Sequence, residues 1–121
     1  MLINLTNHPS FKWGKEQLEA SVKYEEIIDM EFPQIDAKAN EDTIEELSDI
    51  YFKKILKLGT NHTVLCQGEM CFVFSLVNKL IDHGVKVISA TSEREVNESI
   101  EGSVYNKISS FDFIRYREYT K

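Results

Sequence analysis

Only two cysteines, Cys66 and Cys71, occur in the 121 residues. They are too few for a disulfide scaffold and lack partners at metal-ligand spacing. Cys66 closes an apolar run and Cys71 opens an apolar helix, so both are expected to be buried thiols. With two prolines and five glycines there is no Pro/Gly-rich linker, and no repeat or low-complexity tract divides the chain. A single domain over residues 1–121 is expected. No apolar run approaches the length needed to cross a bilayer, which argues against a membrane partner. The opening residues MLINLTNHP lack the basic start and long apolar stretch of a secretory signal, which points to the cytoplasm.

Positive charge is also scarce: 14 Lys and Arg stand against 20 Asp and Glu, a formal net charge of −6. That balance excludes the extended basic face needed to coat long duplex DNA or RNA. It leaves room for a small anionic ligand held by helix N-termini and one or two cations. Absent too are a Walker A loop, a Gly-x-Gly-x-x-Gly turn after the first strand, and a Gly-x-Ser-x-Gly elbow. No His/Cys/carboxylate cluster has ligand spacing, so neither metal nor cofactor is expected; His62 and His83 stand alone near element ends.

What is present alternates between strand and helix. Leu2, Ile3 and Leu5 begin a strand that the polar stretch Thr6 to Ser10 breaks. A helix from about Gly14 to Tyr24 follows, with Leu18, Val22 and Trp13 near helical spacing. Ile27, Ile28 and Met30 form a second strand that stops at Phe32-Pro33. Asn40 caps the next helix, with acids in its first turn, Ile44, Leu47, Tyr51, Ile55 and Leu58 on one face, lysines in its last turns, and Gly59 as terminator. Thr63 to Cys66 read as a buried strand. Gln67-Gly68-Glu69 turns into an apolar helix that Gly84 closes. Val85, Val87 and Ile88 start a fourth strand that ends in Ala90 to Arg94. Val104 to Ile108 and Phe111 to Tyr119 then alternate around Ser109-Ser110 as a hairpin, with Phe111, Phe113, Arg115 and Arg117 on one face. The order implies an α/β fold of three layers: a mainly parallel sheet with a C-terminal antiparallel β-hairpin.

In such sheets ligands bind beyond the carboxyl ends of the strands. Three polar loops are expected to meet there. The first offers Thr6, Asn7, His8 and Ser10; the second Gln67, Gly68, Glu69 and Met70; the third Thr91, Ser92, Glu93 and Arg94. Gly68 permits close approach of backbone to ligand, and the helix behind it points free N–H groups outward. Hydroxyls and amides supply hydrogen bonds, and His8 and Arg94 supply positive charge. This chemistry suits a phosphate-bearing or nucleotide ligand. Turn residues that merely turn are the plainer reading of each loop taken singly. Glu69 and Glu93 could be the acids of a small nucleotide or sugar-phosphate hydrolase, although Glu near a helix start is usually a dipole partner. Trp13 could stack on a base and Tyr116 or Tyr119 build a dimer surface, with packing the commoner role of each.

The opening strand running into Asn4-Leu5-Thr6-Asn7-His8-Pro9, the Gln67-Gly68-Glu69-Met70 entry into an apolar helix, and Thr91-Ser92-Glu93-Arg94 together resemble the small standalone proteins of type III CRISPR loci. Those consist of little besides a CRISPR-associated Rossmann-fold (CARF) domain. The resemblance implies a Rossmann-like homodimer binding a cyclic oligoadenylate, cyclic tetraadenylate above all, across its two-fold axis. Some members linearise the messenger as ring nucleases and others only bind it. Thr6, Asn7, His8, Gly68, Glu69, Thr91, Ser92 and Arg94 match in position. Linearisation needs no metal: a ribose 2′-hydroxyl attacks the neighbouring phosphorus in line. Arg94 would stabilise the charge, with His8 as acid or base.

Overall fold

The computed structural model describes the backbone of residues 1–121, and the side chains of all but residues 95, 97 and 106–109. Strands β1 (Leu2–Leu5), β2 (Ile27–Asp29), β3 (Thr63–Cys66), β4 (Lys86–Glu101) and β5 (Val104–Glu118) form one sheet in the order β2-β1-β3-β4-β5. The first four run parallel, and β5 pairs antiparallel to β4. Helices α1 (Lys15–Ser21), α2 (Glu41–Lys57) and α3 (Met70–Asp82) connect them. The fold is mixed α/β, as expected. Among the described residues no helix is long and apolar enough to cross a membrane.

β1 and β3 are buried at every position, as strands covered on both faces must be. Ile3, Leu5, Val64, Cys66 and Val87 face α2 and α3, where Ile55, Phe72, Leu76 and Leu80 complete the larger core. Leu2, Leu65 and Ile88 face the other way, toward Trp13 and Tyr24 on the α1 side. α2 starts where Asn40 accepts a hydrogen bond from the Thr43 N–H at 3.0 Å. It ends before Gly59, whose φ of +115° suits a residue without Cβ. α2 and α3 are joined by a 2.7 Å bond between the Ser48 and Ser75 hydroxyls. Beside it the Glu45 carboxylate accepts from Ser75 and from Lys79.

Several expectations are corrected. First, β4 does not stop at Ala90: it continues through Thr91, Ser92, Glu93 and Arg94 to Glu101, so the third polar loop is a strand. Its polarity comes from solvent on both faces of a two-stranded ribbon, where no apolar run is required. Second, the hairpin turns at Gly102-Ser103 with Gly102 at φ +63°, and Ser109-Ser110 lie within β5. Third, α1 stops at Ser21, and residues Val22–Tyr24 tighten into a 3-10 turn that leaves Val22 exposed. Cys71 is likewise exposed, because it lies on the solvent side of α3's first turn, whereas Cys66 is buried as expected.

A β-bulge adds a further change. Thr91 pairs with Arg115 but Ser92 with Phe113, leaving Ile114 without a cross-strand partner. The extra residue reverses the alternation of β5. Phe113 and Phe111 therefore come to the side occupied by Tyr116, not to the side of Arg115. The rings of Phe113 and Tyr116 meet edge-on at 5.1 Å.

Candidate binding edge at the strand carboxyl ends

The strand order reverses between β1 and β3, since the chain moves to β2 on one side of β1 and to β3 and β4 on the other. The loops after β1 and β3 flank this point, as their sequences led us to expect. The Gln67 N–H donates to the Leu5 carbonyl at 3.3 Å. The Gln67 side chain clasps Ala90, accepting from its N–H at 2.8 Å and donating to its carbonyl at 3.4 Å. Gln67 thus ties the end of β3 to β4.

The loop after β1 is organised by two residues that sequence reasoning left out, Asn4 and Asp29, which face each other across the β1–β2 pair. Asn4 is 1% exposed in an otherwise apolar strand. Its amide donates to Asp29 Oδ1 at 2.8 Å and to the His8 carbonyl at 2.9 Å. Its Oδ1 accepts from the Thr6 hydroxyl at 2.9 Å. Asp29 accepts from the Ser10 N–H at 3.0 Å and the Ser10 hydroxyl at 2.7 Å. The Trp13 indole N–H donates to the His8 carbonyl at 3.0 Å, so Trp13 packs beneath the loop instead of standing out to meet a base. Burial by itself would raise the Asp29 carboxyl. The bonds from Asn4 and Ser10 outweigh it and hold the group below its usual range. The signal available in the sequence was a lone Asn inside an apolar strand, a residue that cannot be buried without partners.

Thr6 and Ser10 therefore shape their own loop, while Asn7 and the His8 ring are exposed. Between this loop and the chain leaving β2 lies a cleft of about 370 Å³. Asn4, Thr6, Asn7, Asp29, Glu31 and Gln34 supply its polar wall, and two of these six are carboxylates.

The loop after β3 is closed. A Cβ on Gly68 would lie 2.2 Å from Phe32 Cζ, so the close approach that glycine permits is to a phenyl ring of the chain itself. Phe32 is buried and stacks edge-on against Phe72 at 5.3 Å. The N-terminus of α3 is occupied as well: Glu69 is its cap and accepts from the Phe72 N–H at 2.7 Å. The positive end of that helix is thus matched by a carboxylate already present. Glu69→Ala should destabilise the protein by about 1 kcal/mol in urea unfolding, as loss of an N-cap does. Met70 follows as the first residue of α3 and is exposed.

The model of the family described as Uncharacterized protein MJ1673 matches residues 1–117. The chain belongs to the MJ1673 family. No curated protein and no solved structure matches it. The matched span takes in the whole sheet, from β1 to all but the last residue of β5.

In this MJ1673-family chain the remaining candidates lie on the ribbon. Thr91 accepts from the Arg115 N–H at 3.2 Å, while Ser92, Glu93 and Arg94 are exposed. Arg94 lies roughly 20 Å past Ile88 along β4, at about 3.3 Å per residue. Ile88 pairs with Leu65, one residue short of the end of β3. Within one chain Arg94 accordingly lies well beyond the loop that carries His8. His62 makes a 2.5 Å contact with the Leu58 carbonyl past the end of α2, and His83 packs edge-on against Phe52 at 4.7 Å. No group of three or more potential metal ligands occurs among the described residues. Burial pushes the Cys66 thiol up to about 12, so it stays protonated at neutral pH.

Proposed function

We propose that this chain is a Rossmann-like, CARF-type domain of the cytoplasm that binds a cyclic oligoadenylate, with cyclic tetraadenylate favoured, as a homodimer. In that reading it damps type III CRISPR antiviral signalling. The observation that supports it best is the reversal of strand order between β1 and β3, the place where open parallel sheets take nucleotides. The resemblance of the β1 and β3 loops to the CARF proteins supplies the ligand class. Asn7 and His8 are the groups of the β1 loop whose side chains face solvent, beside a cleft with hydrogen-bonding walls. Ribose hydroxyls and adenine amino groups suit the Asn, Gln and carboxylate lining of that cleft, and phosphates would be met by His8 and by Arg94.

Linearisation would require His8 of one copy and Arg94 of the other to meet around one scissile phosphate. The ribose 2′-oxygen would attack phosphorus as the bond to the 5′-oxygen breaks, leaving a 2′,3′-cyclic phosphate and a 5′-hydroxyl. His8 would take the proton from the nucleophile or hand one to the leaving oxygen. The distance from His8 to Arg94 within a chain favours a second reading, a sponge or sensor that holds the ring without cutting it.

Pure protein incubated with cyclic tri-, tetra- and hexaadenylate, with and without EDTA, separates these outcomes by gel shift and product chromatography. EDTA-resistant conversion to linear pieces is expected of a ring nuclease, and binding without products of a sponge. Absence of both contradicts the proposal. Arg94→Ala should weaken ring binding about tenfold, the scale of one charge-assisted hydrogen bond; unchanged affinity removes Arg94 from the ligand.

A further inference from the structure

Beyond Thr91 the β4–β5 pair leaves the sheet as a ribbon, residues 92–113, roughly 30 Å long at about 3.3 Å per residue. A two-stranded ribbon is marginal alone in water, and this one has two unlike faces. Alternation along β4 and the register with β5 place Ser92, Arg94, Val96, Glu98, Ile100, Tyr105, Phe111 and Phe113 together. The Arg94 guanidinium lies 6.0 Å from the centre of the Phe111 ring, and the Tyr105 hydroxyl bonds Glu98, as neighbours on one face do. The Ile114 bulge makes this face continuous with Tyr116 and Tyr24, whose rings are 6.4 Å apart on the α1 side. Ile100 is 73% exposed, Phe111 68% and Tyr105 57%. The opposite face carries Glu93, Ser99, Glu101 and Asp112, with Glu93 directly across from Asp112. A like-charged pair there disfavours the isolated ribbon, and the acidic face repels nucleic acid and anionic lipid.

The geometry points to a second copy of this chain as the occupant of the aromatic face. Two ribbons stacked face to face about a two-fold axis at Val96, running in opposite directions, set residue 96 against itself. Each Arg94 then stands over Glu98 of the other copy, and Phe113 over Tyr105. The face is therefore complementary to itself in charge as well as apolar, which an isologous contact requires. The contact is separate from the one that would hold a nucleotide: with the axis at Val96 the ends of β3 in the two copies lie roughly 50 Å apart at about 3.3 Å per residue, and Arg94 meets Glu98 of the other copy instead of its His8.

Sedimentation of the protein without nucleotide tests it. The wild type should sediment at about twice the 14.0 kDa chain mass in the micromolar range. Arg94→Glu and Glu98→Arg should each raise the dimer dissociation constant at least about tenfold, since each sets like charges together. Mixing the two variants should restore a dimer, because both contacts between unlike copies are then of opposite sign. Ile100→Ser with Phe111→Ser should leave a folded monomer, with its circular dichroism retained, since both residues are exposed. A wild-type dimer indifferent to these changes, or variants that stay monomeric when mixed, overturns the ribbon contact while leaving a homodimer standing. A monomeric wild type overturns both, and ring binding is then judged by gel shift alone.

Discussion

Asn4→Leu should destabilise the protein by about 3 kcal/mol and lower the thermal midpoint by roughly 10 °C. The substitution keeps an apolar strand apolar, so a reading from hydrophobic pattern alone expects little change. The structure gives the opposite sign, because the Asn4 side chain holds Thr6, His8 and Asp29 at once. Removing it deletes three hydrogen bonds made by a buried side chain, each worth about 1 kcal/mol, and leaves Asp29 held by Ser10 alone and the His8 carbonyl by Trp13 and Thr6. The same network has a pH signature. Asp29 is depressed in the folded state, so its contribution is present above the unfolded carboxyl value near 3.9 and is lost as pH falls through the folded one. Wild type should lose stability over that acid range, and Asn4→Leu should lose less there because one of the bonds to Asp29 is already gone. Urea unfolding at stepped pH reads both quantities. Equal stability of the two proteins at neutral pH contradicts the role given to Asn4.

Gly68→Ala is expected to cost about 2 kcal/mol, within the range for overpacking a filled site. The added methyl would meet three atoms of the Phe32 ring, at 2.2, 2.4 and 2.7 Å. That ring cannot swing out freely, since it is packed on Phe72, which is itself stacked on Tyr51 at 5.5 Å. The double change Gly68→Ala with Phe32→Leu should recover part of the loss relative to Phe32→Leu alone, a coupling read from a double-mutant cycle. Additive effects would mean that Gly68 serves something other than the Phe32 contact.

These two positions show what the sequence carried and what it did not. β3 over Thr63 to Cys66, the Asn40 cap of α2 and the Glu69–Met70 entry to α3 depend on neighbours within a few residues, and they were legible. The partnership of Asn4 with Asp29 depends on which strands pair, a contact between residues 25 apart. Phe32 against Gly68 is likewise long-range, so a glycine at a helix entry pointed to a ligand when its partner was a ring of the chain itself. The long β4 was missed for a different reason. Ser92 to Glu101 alternate, but neither face is buried in the monomer, so the polar residues resembled a loop. The bulge at Ile114 then reversed the face assignment of the aromatics before it.

The proposed function places one cyclic oligoadenylate between two copies of the chain. Isothermal titration of the protein with cyclic tetraadenylate, on material whose sedimentation is followed in parallel, tests it most directly. The expected result is saturation at one ring per two chains. Saturation at one ring per chain, or no heat with any ring size, contradicts it.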